Sequence, residues 1–244
     1  MYDKLLKIVE ENNFQIDDET EIEIERLIEF LKAKNKNDKI EDIIKWFDNK
    51  KKSYQVNTEE IGIINLDKWY VDPKTGNIHH ESGKFFSIIG VKVDGANDRE
   101  VHSWTQPMMK QKECGILGIL CKKNDGVRHY LLQAKYEPGN TNILQLSPTL
   151  QATDSNLKRA HQGKKPIFAE YFEDSGKGKI LTSVISVEDG GRFYLNTNKI
   201  MIVEIDEELN IPENFIWLNL YQIKKLIKKD LIINSLARSI FGSR

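Results

Sequence analysis

The stretch that decides the fold is residues 130–161, which read YLLQAKYEPGNTNILQLSPTLQATDSNLKRAH. It opens with an apolar run typical of a buried strand and then reaches a Pro-Gly pair at positions 138–139, which is a turn signal. Leu144, Leu146 and Leu150 recur among polar residues at spacings of two and four, which is unusual for a solvated loop. We therefore predict a strand, a turn, a second strand and a helix, with polar side chains that converge on one cleft.

Charge and cysteine content exclude several classes of protein. The 36 basic residues balance 37 acidic ones and leave a formal charge of −1, so no overall basic field attracts nucleic acid or a membrane surface. Cys114 and Cys121 form no CxxC pair, which argues against a zinc site and a disulfide framework. No apolar run has membrane length. These features predict a cytoplasmic protein.

The N-terminal part of the chain has the periodicity of helices. Apolar residues recur at near-helical spacing among Glu and Lys, and acids at positions 17–19 stand where a helix N-terminus favours them. A further helix is predicted over residues 39–50, with Ile43 and Phe47 on its apolar face. We assign residues 1–60 to an N-terminal helical segment.

From residue 61 the pattern changes to that of strands. Strands are predicted at 61–64, 69–71, 85–93, 115–120, 127–133 and 180–187, with an extended piece at 104–107. The Asn-Asp-Gly turn at 124–126 predicts a hairpin, and a second hairpin joins 180–187 to 192–205. Two closing helices follow, at 218–229 and 231–241, with Asn219 as a candidate N-cap. The predicted class is α+β, a mixed curved sheet with flanking helices, and residues 61–244 form one domain.

Common catalytic signatures do not occur in the sequence. It contains no GxSxG, GxxxxGK[ST], GxGxxG or HExxH motif. The glutamate-rich helix with which Nudix hydrolases hold divalent metal is also missing, because residues 153–161 offer only Asp154 as an acid. We therefore expect no metal site.

Two motifs carry a resemblance to a known family. They are QAKYEPGN at 133–140 and QLSPTLQAT at 145–153, supported by SGKFFS at 82–87, WTQP at 104–107, GILG at 115–118, SN at 155–156 and EYF at 170–172. From about residue 61 onward the chain resembles the NDP-hexose 2,3-dehydratase family. Familiar members resemble two fused copies of this unit, whereas this chain holds one. Either a homodimer supplies the second copy, or one copy suffices, or the chain is a divergent relative.

The resemblance implies a Nudix-like fold without Nudix chemistry. The substrate it implies is a nucleotide-linked 4-keto-6-deoxyhexose, with dTDP as the expected nucleotide. The implied reaction removes water across C2 and C3 and leaves a 3,4-diketo-2,6-dideoxy sugar, without a redox cofactor, for a downstream ketoreductase. Two alternatives stay open: another sugar-nucleotide-processing enzyme on this scaffold, and a sugar-nucleotide-binding module without catalysis.

Such a reaction needs a base, an acid and a group that stabilises an enolate. Glu137, which directly precedes the Pro-Gly turn, is our candidate base, and Lys135 would share its strand face and stabilise the enolate or contact a phosphate. A simple ion pair between the two is the structural alternative. His161 and Tyr171 are the candidate acids, although a histidine at a helix end can also serve the helix dipole alone.

Substrate binding is predicted for polar residues along the strands and at the start of the following helix, together with aromatic residues that could stack on a base. Gln145, Ser147, Thr149 and Gln151 are expected to alternate along one strand. The helix start would bind a diphosphate, or simply be capped by the same residues. The full predicted set is Trp104, Gln106, Gln133, Asn140, Gln145, Ser147, Thr149, Gln151, Thr153, Ser155, Asn156, Arg159 and Phe172.

Overall fold

A computed structural model describes residues 2–36, 39–111, 113–157, 165–173 and 176–242. The chain divides into two compact units. The first comprises residues 1–55, 119–149 and 204–244, and the second comprises residues 56–118 and 150–203. Because each unit gathers segments that are distant in sequence, each depends on long-range packing.

Helices form the N-terminal part of the first unit, at α1 (Tyr2–Glu11), α2 (Asp18–Asn35) and α3 (Ile40–Ser53). The Asp17 side chain caps α2 by accepting a hydrogen bond from the Thr20 backbone N–H at 2.8 Å, where acids were expected. Ile43 and Phe47 are buried on α3, as predicted. The proposed division of the chain at residue 60 remains a prediction.

The sheet of the first unit is built on strand β6 (Val127–Tyr136). Strands β7 (Leu144–Ser147) and β11 (Phe215–Asn219) both pair with β6 in antiparallel register. The end of β5 (Gly115–Asn124) forms the predicted hairpin with β6, and its turn residues Asp125 and Gly126 have φ values of 50° and 69°. Positive φ at both central positions is what a type I′ turn requires. Leu131, Leu132 and Leu146 are completely buried.

Two short helices close the first unit, at α5 (Leu220–Ile227) and α6 (Ser235–Gly242). Asn219 is the N-cap of α5, as predicted, and Gln222 completes a reciprocal capping box. The helix begins two residues later than expected because Leu218 and Asn219 belong to β11.

The second unit contains β1 (Trp69–Val71), β2 (Ile78–His80), β3 (Ser87–Val93) and β4 (Trp104–Lys110), which pair in that order. It also contains β8 (Leu150–Thr153), which pairs with residues 115–118 of β5, a single helical turn α4 (Asp154–Leu157), and the neighbouring strands β9 (Lys179–Val187) and β10 (Thr197–Glu204). The strand predicted at 61–64 is wrong. Residues 63–65 form a 3-10 turn instead, and Ile64 is 90% exposed.

The observed elements confirm the predicted α+β class, with sheets flanked by helices. Within the described residues, no helix is long and apolar enough to span a bilayer.

Candidate functional site

Strands β6 and β7 bring the first group of predicted residues together. In their register Gln133 lies opposite Ser147, and Lys135 lies opposite Gln145. Residues directly opposite in an antiparallel pair point to the same side of the sheet. The four side chains therefore share one face, as the sequence predicted for Gln133 and Lys135. Tyr136 points to the other face, where its ring stacks on Tyr54 at 5.6 Å.

Lys135 and Glu137, the candidate enolate-stabilising group and the candidate base, form an ion pair. Lys135 Nζ lies 2.8 Å from Glu137 Oε1, and the two side chains are 29% and 37% exposed. The predicted turn after Glu137 is present, since the Asn140 backbone N–H donates to the Glu137 carbonyl at 2.9 Å. Asn140 also donates from its side chain to the Ile143 carbonyl at 3.3 Å, which holds the turn closed. The arrangement fixes a carboxylate and an ammonium group side by side at a partly exposed strand end.

The expectation of one continuous polar strand from Gln145 to Gln151 is wrong. The chain breaks at Pro148 and Thr149, so that β7 and β8 are separate strands. Ser147 is fully buried and accepts a hydrogen bond from Asn234 Nδ2 at 2.9 Å.

Thr149 is buried as well. Its hydroxyl accepts from the Leu120 backbone N–H at 3.0 Å and donates to the Leu131 carbonyl. These bonds give Ser147 and Thr149 structural roles inside the first unit. A role for either residue in substrate binding stays a prediction.

The second group of predicted residues lies in the second unit. Gln151 and Thr153 belong to β8 and are half-buried, and the Thr153 hydroxyl accepts from the Asn156 backbone N–H at 3.4 Å. This bond is the capping arrangement that the sequence allowed as an alternative to phosphate binding. Ser155 lies in α4, and its side chain is outside the described part of the structure, as are Arg159 and His161. Because this group and Lys135 belong to different units, the single cleft remains a prediction.

Tyr171 and Phe172 are buried at a 3-10 turn of the second unit, with exposures of 7% and 2%. A Cβ atom built on Gly118 would lie 2.4 Å from the Phe172 ring, so the glycine makes room for this ring. Lys177 Nζ lies 5.6 Å from the centre of the Tyr171 ring, a cation–π distance. Phe172 is therefore packed as a core side chain, and its stacking on a base stays a prediction.

Trp104 and Gln106 are linked on strand β4. The indole N–H of Trp104 donates to Gln106 Oε1 at 2.7 Å, and Gln106 Nε2 donates to the Gly191 carbonyl at 2.7 Å. Both the oxygen and the nitrogen of the Gln106 side-chain amide are therefore hydrogen-bonded. Their predicted contact with substrate is not tested by this geometry.

Sequence reasoning missed a polar cluster formed by Glu188, Asn196 and Asn198 in the second unit. Glu188 Oε2 accepts from Asn196 Nδ2 at 2.7 Å and from Asn198 Nδ2 at 2.9 Å. Both asparagines are buried. The available signal was the N-x-N spacing at the start of a strand, eight and ten residues after a glutamate, which is too weak to interpret without the fold.

A surface depression in the first unit is lined by Glu25, Ile28, Glu29, Lys32, Lys123 and Gly126. None of these belongs to the predicted site. Lys123 pairs with Glu25 at 3.1 Å, and the neighbouring buried Arg128 pairs with Glu204 at 2.7 Å and with Glu29 at 3.5 Å. Burial raises the pKa of Glu29 despite its pairing with Arg128, whereas the hydrogen bond from Lys123 lowers the pKa of Glu25. The ion pair between Arg128 and Glu29 joins strand β6 to helix α2, so we interpret this group of charges as structural.

Comparison with known proteins settles the family. A family model described as NDP-hexose 2,3-dehydratase matches residues 40–243. The chain belongs to the NDP-hexose 2,3-dehydratase family. The match includes every residue of the predicted site and leaves α1 and α2 outside it. This confirms the resemblance carried by the motifs at 133–140 and 145–153.

Three relatives of this dehydratase-family chain carry the name dTDP-4-dehydro-6-deoxy-alpha-D-glucopyranose 2,3-dehydratase. The protein from Saccharopolyspora spinosa is 44% identical over 76% of the chain and 38% of its own length. The proteins from Amycolatopsis orientalis and Streptomyces violaceoruber are 41% and 36% identical, over 83% and 81% of the chain and 44% of their own lengths. The chain thus spans less than half the length of these relatives.

Solved structures show only a weak likeness to this member of the dehydratase family. An ADP compounds hydrolase is 12% identical with a TM-score of 0.38, covering 78% of this chain and 98% of the hydrolase. A Nudix hydrolase from M. smegmatis is 16% identical with a TM-score of 0.35, covering 63% of this chain and 96% of the hydrolase. TM-scores this low do not establish a shared fold, so the Nudix-like expectation stays a prediction. Among the described residues, no group of three or more His, Cys, Asp and Glu side chains is arranged to hold a metal ion.

Proposed function

We propose that this chain catalyses 2,3-dehydration of dTDP-4-keto-6-deoxyglucose, the reaction for which its three named relatives are named. The observation that carries the proposal is the Lys135–Glu137 pair, which stands inside the region matched by the family model. Proton abstraction beside a ketone requires a base and a group that stabilises the enolate, and in this proposal the carboxylate and the ammonium group of the pair take these two roles.

The first step in this proposal is loss of the C3 proton. The C4 ketone makes that proton acidic, and the Glu137 carboxylate accepts it. Negative charge then grows on O4, where the Lys135 ammonium group stabilises it. General-base help of this kind is typically worth ~10²- to 10⁴-fold in rate.

The second step expels the C2 hydroxyl. The C3 carbanion electrons form the C2–C3 double bond, and the hydroxyl leaves as water after it receives a proton from an acid. The predicted acids are His161 and Tyr171. The enol that remains tautomerises to the 3,4-diketo-2,6-dideoxy sugar nucleotide, so the overall change is the loss of one water molecule with no change in redox state.

Gln133 and Gln145 support the same proposal because their amides lie beside Lys135 on the face shared by β6 and β7. An amide offers both a donor and an acceptor, which suits sugar hydroxyls.

The diketone product is reactive, and we propose that a ketoreductase reduces it in the next step. We also propose that the protein acts in the cytoplasm.

We also propose that two copies of the chain associate. Strand β9 exposes Ile180, Val184, Ile185 and Val187, each more than half accessible to solvent. An exposed row of β-branched residues on one strand is a usual mark of an interaction surface. Sedimentation equilibrium should show a dimer for the wild type and a monomer for Ile185→Lys, while a monomeric wild type would refute the pairing.

The test of the function is incubation with dTDP-4-keto-6-deoxyglucose, a chelator and a trapping reductase. We expect mass spectrometry to show a product that has lost one water, with the oxygen lost from C2. Protection of the protein against melting by the sugar nucleotide, without turnover, would instead identify a binding module and refute the proposed activity.

A further inference from the structure

The loop at residues 137–143, which joins β6 to β7, consists of two consecutive turns that share Asn140. The Asn140 backbone N–H donates to the Glu137 carbonyl at 2.9 Å and closes the first turn. The Ile143 backbone N–H donates to the Asn140 carbonyl at 3.4 Å and closes the second. Both turns therefore depend on the position of Asn140.

The Asn140 side chain links the two ends of this loop. Its Nδ2 atom donates to the Ile143 carbonyl at 3.3 Å and to the Lys135 carbonyl at 3.5 Å. Lys135 belongs to β6, whereas Ile143 directly precedes β7. Because a side-chain amide nitrogen carries two hydrogens, a single asparagine can serve both carbonyls. Asn140 thereby holds the end of one strand to the beginning of the next.

Ile143 has a backbone conformation that a β-branched residue rarely adopts. Its φ is 57°, in the left-handed region, and the residue is 41% exposed, so burial of its side chain does not explain the conformation. Both the N–H and the carbonyl of Ile143 are bonded to Asn140. Strain of this kind persists only where surrounding contacts maintain it. Without the Asn140 side chain, Ile143 should relax and the loop should open.

The conformation of this loop also determines where the Glu137 carboxylate lies. Glu137 is the first residue of the first turn, and Pro138 restricts its backbone to extended conformations. Its Oε1 atom lies 2.8 Å from Nζ of Lys135, which is held in the sheet by its strand pairing with Gln145. Opening of the loop would therefore move the carboxylate while the ammonium group stays in place.

We propose that Asn140 is a positioning residue, which keeps the strained loop at residues 137–143 closed and so fixes the Glu137 carboxylate beside Lys135. This inference rests on the proposed function, in which Glu137 is the base. It gives Asn140 a role that acts through Glu137 and differs from the substrate contact predicted from the sequence.

The test compares three variants with the wild type. Asn140→Ala removes the side-chain bonds. Asn140→Ala combined with Ile143→Gly also removes the strain, because glycine adopts positive φ at little cost. Gly139→Ala is the matched control in the same loop, since the φ of Gly139 is not positive and an added Cβ meets nothing within 4 Å.

The first measurement is independent of turnover. A carbodiimide joins a lysine to a carboxylate directly when the two groups are in contact, and mass spectrometry locates the new amide bond. We expect the crosslink between Lys135 and Glu137 in the wild type and in Gly139→Ala, its loss in Asn140→Ala, and its return in the double variant. Equal crosslinking in Asn140→Ala and the wild type would overturn the inference.

The second measurement is the rate of dehydration of dTDP-4-keto-6-deoxyglucose. Because a displacement of about 1 Å can cost ~10²-fold in rate, kcat of Asn140→Ala should fall at least ~10-fold while KM stays within ~2-fold. The double variant should recover most of the lost rate. A fall in melting temperature without this loss of kcat would mean that Asn140 only supports the fold, and a loss that Ile143→Gly does not restore would mean that Asn140 acts on the substrate itself. Either result would overturn the inference.

Failure of the proposed function has a different signature. In that case the wild type would form the crosslink without dehydrating the sugar, and the crosslink alone would decide whether Asn140 positions Glu137. If Asn140→Ala does not fold, Asn140→Ser takes its place, since a hydroxyl has one hydrogen and can serve only one of the two carbonyls.

Discussion

Lys135 Nζ lies 2.8 Å from Glu137 Oε1, across a single intervening residue at the end of β6. Both side chains remain partly exposed, and exposed ion pairs contribute between about 0 and 1 kcal/mol to stability. The pair therefore contributes little to the stability of the fold. The pair lies within the motif at residues 133–140, and the chemical use that we propose for it can be tested separately from stability.

Replacement of Lys135 by methionine should separate these two roles. We expect Lys135→Met to change the free energy of unfolding by less than about 1 kcal/mol, measured in urea, because the pair is solvated. The rate of dehydration should fall ~10²-fold or more, since the charge on O4 loses its partner. Lys92→Met, at an exposed position of β3, is the control. The assignment would be contradicted if Lys135→Met lowered the free energy of unfolding by as much as it raised the activation free energy of dehydration.

Arg128 should be far more important for stability than for chemistry. Its side chain is 3% exposed and pairs with Glu204 and Glu29. Removal of one partner leaves buried charge unpaired, which typically costs ~3–5 kcal/mol. We expect Arg128→Met to show that loss in urea unfolding. Lys123→Met, in the exposed pair with Glu25, should lose less than about 1 kcal/mol. Comparable losses in both variants would refute the buried network.

Gly118 and Phe172 form a steric pair that can be tested by a double-mutant cycle. A Cβ atom at position 118 would lie 2.4 Å from the Phe172 ring, so Gly118→Ala should destabilise the protein by ~1–3 kcal/mol. Phe172→Leu should relieve part of that cost when the two changes are combined. Gly90→Ala should be close to neutral because its Cβ meets no atom within 4 Å. Additive effects of the two changes would show that the residues do not touch.

The two cysteines should differ sharply in reactivity as pH rises. Burial raises the pKa of the Cys121 thiol to about 12, since a thiolate is poorly solvated there. The group therefore stays protonated at pH 9, whereas Cys114 is exposed. We expect a disulfide reagent to label one thiol in the native protein at both pH 8 and pH 9, and two in urea. Labelling of the second thiol at pH 9 without unfolding would contradict the buried environment.

Local signals in the sequence predicted much of the architecture. The β5–β6 hairpin follows from Asp125-Gly126, and the start of α5 follows from Asn219, because a turn and a cap depend on neighbouring residues. The wrong expectations concern distant partners. Ser147 and Thr149 were expected on one continuous polar strand, yet they are buried at the break between β7 and β8, where Asn234 and the Leu131 carbonyl bind their hydroxyls. No local pattern identifies such partners.

In the candidate site, too, local features were predictable from the sequence and contacts between distant residues were not. The common face of Gln133 and Lys135 was predictable from the alternation of a single strand, and the pairing with Gln145 followed once β7 returned beside it. The Glu188 cluster was not predictable, because its geometry depends on how β10 returns past β5.

The most direct test of the central claim is the dehydration rate of Glu137→Gln with dTDP-4-keto-6-deoxyglucose. Glutamine keeps the shape of the side chain but cannot accept the C3 proton, so turnover should fall ~10²- to 10⁴-fold while the dissociation constant for the sugar nucleotide stays within about twofold of wild type. Exchange of the C3 proton with deuterated water should stop in the same variant. Near-wild-type turnover or continued C3 exchange would show that Glu137 is not the base.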